Sequence, residues 1–308
     1  MKDFISLFDL RAVGTIQQDI RNNMLLGTFI GKPKRNAWPR VFGGLLLAQA
    51  YVAAAQTVPK DKYLHSLHSY FLLPASLEEE IEYKVFLLRD GRSFVTRQVQ
   101  AYQKGVCIFT LSCSFQNLEK GFSFQENLQK AGQLIKEQQY DILTLLKDYP
   151  YSSEEAEKIT LMKNYWHLQK PFLFYPHCLK NYIQRQEDLS LKRYHIFRLS
   201  EKMIQDPILC QAFLIYLSDM AILDNSLYHQ KDSIFTGHIQ SGSLDHSFWV
   251  HKNPDPLDWA EGIIYALESP FIGNNRGFNK GTLYSANGRM LASVAQEGLL
   301  RVKQNFNK

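Results

Sequence analysis

Two long apolar stretches that lack a polar face dominate the hydrophobic pattern of the chain. The first covers residues 45–57, in which only two glutamines interrupt the apolar and small residues. The second opens with Asp206 and Pro207, a preferred N-cap and a preferred first helical residue, and continues to Leu223. A helix that is apolar all round belongs in a protein interior. We therefore predict two buried helices, one in each half of the chain.

Segments with the pattern of β-strands follow the first helix and surround the second. The turn sequences RDGRS and QKG separate several of them and are typical of hairpin connections. The pattern predicts an α+β protein whose strands cover residues 64–73, 80–89, 93–103 and 106–116 in the first half and 191–200, 241–251, 259–270, 276–288 and 289–302 in the second.

The two halves resemble each other and are separated by a polar segment. HSLHSYFLL in the first half compares with GSLDHSFWV in the second, which indicates two copies of one unit. We place the N-terminal unit at residues 1–116, a Gln- and Lys-rich connector with surface helices at 117–165, and the C-terminal unit at 166–308. A sheet that wraps one buried helix is the hotdog architecture. The predicted fold is thus a double hotdog, with two antiparallel sheets that each wrap a central buried helix.

Asp219 interrupts the second apolar stretch. If the helix continues through it, its neighbours on the same face are Ile215, Tyr216, Ile222 and Leu223. A buried ionised carboxylate is costly unless it has partners. Asp219 is therefore either a buried structural group, for example a second N-cap, or a functional one, and the pattern alone leaves both interpretations open.

Gln296 and Ser243 are two further polar residues next to apolar strand positions. Strand alternation places Gln296 on one face with Met290, Ala292 and Val294, which predicts an amide that points into the core. Alternation places Ser243 on the less apolar face of its segment, so either a bulge intervenes or the serine lies beyond the regular strand. For both residues a purely structural role remains open at this stage.

Composition and charge exclude few classes of protein. The net charge of +5 is mild and is compatible with an acidic small molecule or a nucleic acid as the partner. Of these two kinds of partner, we expect the small molecule and no nucleic acid. The four cysteines lack C-x-x-C spacing and lie among apolar residues, which predicts reduced core thiols and a reducing, cytoplasmic location. The N-terminal segment lacks the pattern of a secretory signal. No stretch approaches 18 uninterrupted apolar residues, so we expect no membrane span.

Several common catalytic arrangements do not match the sequence. The residues of the DHS sequence are consecutive on a predicted strand, so their side chains point to alternating faces of the sheet. Such an arrangement is unsuited to a Ser-His-Asp triad. Glycine motifs for phosphate or dinucleotide binding are absent. The histidines lack the spacing of metal ligands, so we predict no metal, no cofactor and structural roles for His65, His68, His246 and His251.

The motifs RVFGG, LHSLHSYFLLP, LRDGRSF, SLDHSFWVH, LESP, RG and ASVAQEG occur in this order between about Gly27 and Arg301. In this order and spacing they resemble the acyl-CoA thioesterase II, or TesB-type, family. The resemblance implies a double hotdog that hydrolyses acyl-CoA to a free fatty acid and CoA. It implies that Asp219, Ser243 and Gln296 are the catalytic residues. Our hypothesis is that they hold one water beside the thioester carbonyl. Leu45 departs from the family, which often has Gln there, so a ligand role of this helix start is in doubt.

Further expectations concern the first half of the chain, its association, the alternative functions and the contacts to CoA. The first half has no acid comparable to Asp219 and is expected to be non-catalytic. A homo-oligomer is expected. Two alternatives stay open: a dehydratase or hydratase acting on acyl thioesters, and a non-enzymatic acyl-CoA-binding protein. Possible contacts to the CoA phosphates are Lys84, Arg89, Arg92, Arg97 and Arg276.

Overall fold

The structure is a computed structural model that describes residues 1–13, 17–19, 24–185, 192–201 and 205–303. It contains two compact units that alternate along the chain. The first unit comprises the residues up to Gln125, the helix Pro207–Ser218 with Asp219, and residues Asp245–Asp255. The second comprises the remainder. The boundaries at residues 116 and 166 were predicted from the internal repeat of the sequence. They describe a different division of the chain and stay a prediction.

The described part of the first unit combines antiparallel strands with α-helices. Numbered along the chain, its elements are α1 (Lys2–Ile5), β1 (Arg11–Ala12), β2 (Gln17–Asp19), β3 (Met24–Gly31), α2 (Gly43–Ala55), β4 (Lys62–Phe71), β5 (Ile81–Asp90), β6 (Phe94–Gln103), β7 (Val106–Asn117), α7 (Pro207–Ser218) and β11 (Asp245–Val250). The strand order is β1-β3-β5-β6-β7-β4-β11, and β2 pairs with β3.

The second unit is also built on antiparallel strands. Its elements are α3 (Ala131–Glu137), α4 (Ile142–Lys147), α5 (Ala156–Leu168), β8 (Phe172–Tyr175), α6 (Leu179–Gln184), β9 (Lys192–Leu199), α8 (Ile222–Asn225), β10 (Ile239–Ser243), α9 (Pro256–Glu261), β12 (Ile263–Gly273), β13 (Arg276–Ser285) and β14 (Met290–Val302). The strand order is β14-β13-β12-β9-β8, with β10 paired to β14. The prediction of an α+β protein is therefore confirmed.

Helices α2 and α7 are buried, as predicted, and they pack against each other inside the first unit. Helix α2 also contacts strands β3, β5, β6 and β7. Complete burial of a leucine such as Leu45 or Leu47 contributes about 1.5–3 kcal/mol. The predicted start of α7 is confirmed, because Asp206 accepts hydrogen bonds from the backbone N–H groups of Ile208 and Leu209 at 2.8 and 3.2 Å.

The second apolar stretch is not one continuous helix. Helix α7 ends at Ser218, with Asp219 as its C-cap, and α8 begins only at Ile222. Between them Ala221 adopts φ +61°, a left-handed conformation that an α-helix of L-residues does not continue through. The prediction of a helix reaching Leu223 was wrong for this reason.

The polar connector contributes to the core of the second unit. Its helices α3, α4 and α5 bury apolar side chains, among them Leu134, Leu146, Met162 and Trp166. Ala131 and Leu134 pack with strand residues such as Ile196. The same helices expose Gln133, Lys147 and His167, so they lie at the surface as predicted, each with one face buried against the core.

One stretch, Pro207–Gln230, is long and apolar enough to cross a membrane by length and composition. This stretch contains α7, the break at Ala221 and α8, and most of its apolar part is buried inside the protein. A core helix passes the same test, so this stretch is only weak evidence for a span.

The cysteines follow the sequence prediction in part. Cys113 and Cys210 are buried and Cys107 is half-buried, but Cys178 is exposed at the start of α6. Burial raises the pKa of the Cys113 thiol to about 12, which makes it an unreactive packing group. The prediction that all four thiols belong to the core was wrong for Cys178.

Candidate active site

The carboxylate of Asp219 lies at the meeting point of two helix ends within the first unit. Asp219 caps the C-terminus of α7 and is 9% exposed. A β-carbon built at Gly43, the first residue of α2, would lie 2.7 Å from Oδ2 of Asp219. The carboxylate therefore rests against the N-terminus of α2, where backbone N–H groups have no partner within the helix. This end also carries the positive end of the helix dipole.

The second glycine of the FGG sequence allows the two helices to approach. A β-carbon at Gly44 would lie only 2.4 Å from the backbone oxygen of Tyr216 in α7. The neighbouring Leu45 is fully buried, and its N–H donates to the Phe42 oxygen at 3.0 Å. The sequence departure at Leu45 thus places a core side chain there, and the backbone of the two glycines is what approaches α7.

Two further side chains interact electrostatically with Asp219. Burial lowers the pKa of Arg40, and the nearby Asp219 carboxylate opposes this shift. Burial, together with the negative charge of Asp219, raises the pKa of the Tyr216 phenol. A nearby guanidinium favours the ionised form of a carboxylate. The role of Arg40 has no signal in the sequence, because no pattern links residue 40 with residue 219.

The other two residues predicted to be catalytic, Ser243 and Gln296, form a polar pair within the second unit. The Nε2 of Gln296 donates a hydrogen bond to the Oγ of Ser243. Gln296 is fully buried on β14, which confirms the predicted inward face of that strand. Because the amide donates to the hydroxyl oxygen, the serine keeps a hydroxyl proton with which it can donate to another group.

The position of Ser243 answers the question left open by strand alternation. Ser243 is the last residue of β10 and pairs with Gly298 of β14, whereas the DHS sequence begins β11 after Leu244. Leu244 donates its backbone N–H to the Glu297 oxygen at 2.9 Å. Ser243 therefore lies beyond the regular strand that carries the DHS sequence, and the alternation of that strand does not apply to it.

The buried histidine of the DHS sequence stabilises the end of α7. The Nε2 of His246 lies 2.9 Å from the Oγ of Ser218, the residue before Asp219, and both side chains are fully buried. Ser218 Oγ also donates to the Ile215 oxygen at 2.7 Å. His68 instead lies 3.0 Å from the hydroxyl of Ser247. In the described part of the chain, no group of three or more His, Cys, Asp or Glu residues is arranged to hold a metal ion.

The cations proposed as CoA contacts differ in their surroundings. Arg97 is 1% exposed; it donates to Thr57 and forms an ion pair with Asp90 at 2.6 Å. Its guanidinium is a structural group, so the prediction of a ligand contact was wrong for Arg97. Lys84 pairs with Glu82 at 3.6 Å and Arg276 pairs with Glu297 at 2.9 Å, whereas Arg89 and Arg92 are exposed.

Comparison with known proteins agrees with the motifs. Residues 34–116 match the family described as acyl-CoA thioesterase N-terminal domain, and residues 173–299 match the family described as acyl-CoA thioesterase. The chain is 31% identical over 277 residues to acyl-CoA thioesterase 2 of Haemophilus influenzae. The alignment covers 90% of this chain and 93% of that protein.

Solved structures show the same fold. The crystal structure of the acyl-CoA thioesterase II TesB2 from Mycobacterium marinum superposes with a TM-score of 0.67 at 25% identity and covers 96% of this chain and 97% of that one. A hotdog-fold protein of unknown function from Alicyclobacillus acidocaldarius superposes with a TM-score of 0.69 at 14% identity and coverages of 97% and 98%. This second likeness concerns the fold alone. With both halves matched and a relative aligned over nearly its whole length, the chain belongs to the acyl-CoA thioesterase II, or TesB-type, family of acyl-CoA thioester hydrolases.

Proposed function

We propose that this chain hydrolyses acyl-CoA to a free fatty acid and CoA with one water that is activated by Asp219, Ser243 and Gln296. The observation that carries this proposal is the nearly buried Asp219 carboxylate, which rests against Gly43 at the start of α2. The hydrogen bond from Gln296 to Ser243 supports the role of those two residues as a polar pair.

A thioester is already activated, so its hydrolysis requires a positioned water, a base and donors for the developing oxyanion. Asp219 accepts a proton as the oxygen of the water attacks the carbonyl carbon. Ser243 and Gln296 orient that water through the hydroxyl and the amide. The tetrahedral intermediate then collapses, the C–S bond breaks, and the CoA thiolate takes the proton back from Asp219. Backbone N–H groups at the start of a helix such as α2 are suited to stabilise the oxyanion, because they lack the i→i−4 partner of a helix interior.

A variant of this mechanism has Asp219 attack the thioester directly and form a mixed anhydride. One turnover in heavy-oxygen water distinguishes the two. The water mechanism places the label only in the fatty acid. Direct attack, followed by hydrolysis at the aspartyl carbonyl, leaves the label in Asp219, where mass spectrometry of the digested protein detects it.

The activity itself is tested by release of free thiol from acyl-CoA substrates of increasing chain length, followed with DTNB. We expect continuous turnover with at least one chain length. Tight binding without thiol release over hours would indicate a non-enzymatic acyl-CoA-binding protein. Addition of water to an enoyl-CoA without cleavage of the thioester would indicate a hydratase. Either result would contradict the proposal.

Replacing Ser243 by Ala is expected to lower kcat by about 10²-fold, the size of effect typical for the loss of one catalytic hydrogen-bonding group. The matched variant Ser243→Thr keeps the hydroxyl and is expected to retain most of the activity. Steady-state thiol release measures both. Equal losses in the two variants would show that packing at this position, and not the hydroxyl, is what matters.

Replacing Gly43 by Ala is expected to lower kcat by about 10²-fold, because displacing a catalytic group by about 1 Å has an effect of this order. The new methyl group would lie 2.7 Å from Asp219 Oδ2 and 3.0 Å from the Phe71 ring, so the carboxylate must move. A β-carbon at Gly132 meets no heavy atom within 4 Å, so Gly132→Ala is the control. Unchanged kcat in Gly43→Ala, with both variants folded, would contradict the placement of Asp219.

We further propose the finer architecture implied by the family. Residues 1–116 and 166–308 form two hotdog repeats, each with a sheet around its own central helix, and the C-terminal repeat carries the catalytic residues. The chain forms a homo-oligomer in the cytoplasm. Light scattering coupled to gel filtration tests the association, since a mass of one chain at all concentrations would contradict it.

A further inference from the structure

The loop between β3 and α2 is rich in positive charge. Residues 32–40 read KPKRNAWPR and contain four cations and no acidic residue. Its last residue, Arg40, lies three positions before Gly43, whose position against Asp219 marks the candidate active site. A strongly basic segment that leads directly to a reaction centre is suited to an anionic part of the substrate.

The backbone of this loop is held at several points. Gln49 of α2 donates to the Lys32 oxygen at 3.0 Å, and Val41 donates to the Ala75 oxygen at 2.9 Å. Inside the loop the Asn36 side chain accepts from the Ala37 N–H at 2.8 Å and donates to the Arg40 oxygen at 3.2 Å. The cations are therefore presented from an ordered segment, which lowers the entropy lost on binding.

The side chains of the loop extend from the neighbourhood of Asp219 to the surface. Arg40 interacts electrostatically with Asp219, and Lys34 Nζ lies 5.8 Å from the ring centroid of Tyr216, one helical turn before Asp219. Burial lowers the pKa of Lys34 to about 8. Lys32 and Arg35 are exposed. The positive charge thus begins beside the carboxylate and continues outwards.

The substrate of the proposed hydrolysis has its negative charge away from the reacting bond. CoA carries a diphosphate and a 3′-phosphate, which the pantetheine arm separates from the thioester. Lys and Arg are the side chains that bind phosphate groups most effectively. Of the cations that the sequence suggested as contacts, Arg97 is internal, Lys84 and Arg276 each pair with a glutamate, and Arg89 and Arg92 are exposed. The loop at residues 32–40 carries no acidic residue of its own.

We propose that the loop of residues 32–40 binds the phosphates of the CoA half of the substrate, with Lys32 and Arg35 as the direct contacts. This inference rests on the proposed acyl-CoA hydrolysis and assigns the part of the chain that recognises the nucleotide. Lys34 and Arg40 support the loop from its inner side and add positive potential.

The test compares two thioesters that carry the same acyl group, acyl-CoA and acyl-N-acetylcysteamine, which lacks the nucleotide and all phosphates. In the charge-reversal variant Lys32→Glu/Arg35→Glu we expect KM for acyl-CoA to rise at least about tenfold, the equivalent of one charge-assisted contact. The kcat/KM for acyl-N-acetylcysteamine is expected to stay within about twofold, since that substrate has no phosphate to lose. Lys34 and Arg40 are left intact because they are partly buried.

The control variant Lys60→Glu/Lys104→Glu makes the same change of net charge at exposed lysines after the end of α2 and in the turn between β6 and β7. It is expected to leave KM for acyl-CoA nearly unchanged. An equal rise in the control would show an effect of net charge and overturn the proposal. An equal loss of kcat/KM with both thioesters in the loop variant, or no loss of kcat/KM with either, would overturn the proposal as well.

Failure of the hydrolase proposal gives a different result. In that case the native chain cleaves neither thioester, whereas failure of the loop proposal leaves the native activity intact. Calorimetric titration with adenosine 3′,5′-bisphosphate gives a readout that does not depend on turnover. We expect the native chain and the control variant to bind this probe and the loop variant to bind it at least about tenfold more weakly. Equal binding by all three would overturn the assignment.

Discussion

Replacement of Asp219 by Asn is expected to reduce kcat for acyl-CoA hydrolysis by about 10²–10⁴-fold while binding of acyl-CoA remains measurable. Asn preserves the shape of the side chain but cannot accept a proton at neutral pH, and loss of a general base has an effect of this size. The side chain lies against Gly43 and near Arg40, so the variant also removes a negative charge beside a cation. Thiol release and acyl-CoA titration measure turnover and binding separately.

The matched control for this variant lies at the other end of the same helix. Asp206 caps α7 through its hydrogen bonds to the N–H groups of Ile208 and Leu209, and Asn is an equally good cap. Asp206→Asn is therefore expected to keep both the fold and the activity. If Asp219→Asn kept an activity close to native, the assignment of Asp219 as the general base would be contradicted, whatever the behaviour of the control.

Replacement of Asp224 by Ala is expected to destabilise the protein by about 3–5 kcal/mol, because it leaves a buried guanidinium without its counter-charge. Arg185 and Asp224 form an ion pair inside the second unit and are 0% and 2% exposed. Asp224 also accepts from the Ser233 hydroxyl at 2.9 Å and from the Ile234 N–H at 3.0 Å. Urea unfolding followed by fluorescence measures the loss of stability.

Two comparisons show whether burial of the charge is the cause. Lys192 and Glu268 form an ion pair at 3.1 Å on the surface of the same unit, and Glu268→Ala is expected to change stability little. The double variant Arg185→Met/Asp224→Leu removes both charges and is expected to be more stable than Asp224→Ala alone. Equal stability losses in Asp224→Ala and Glu268→Ala would contradict the prediction.

Local sequence signals predicted the regular elements well. The cap formed by Asp206 and the apolar character of residues 45–57 identified both buried helices, since these signals act within a few residues. The alternation on β14 predicted the inward Gln296 for the same reason. The end of α7 could not be predicted, because the left-handed conformation of Ala221 depends on its surroundings and alanine by itself favours a helix.

Electrostatic partners were less accessible to sequence reasoning. Arg97 was predicted as a possible contact to the CoA phosphates, yet it is buried with Thr57 and Asp90 as partners. Arg40 interacts with Asp219, although nothing in the sequence around residue 40 indicates it. Such pairs join residues that are distant along the chain, so no periodicity or local motif reports them.

The sequence by itself determined the apolar helices, most of the strands, the inward Gln296 and the family, because each depends on residue order over short distances or on motifs that occur in a fixed order. The tertiary structure alone decided that the ends of α2 and α7 meet, that Gly43 lies against Asp219, and that Gln296 donates to Ser243. These contacts join residues that lie 53 or more positions apart. Such contacts form only when the packing of the whole core has fixed the positions of the helix ends and strands.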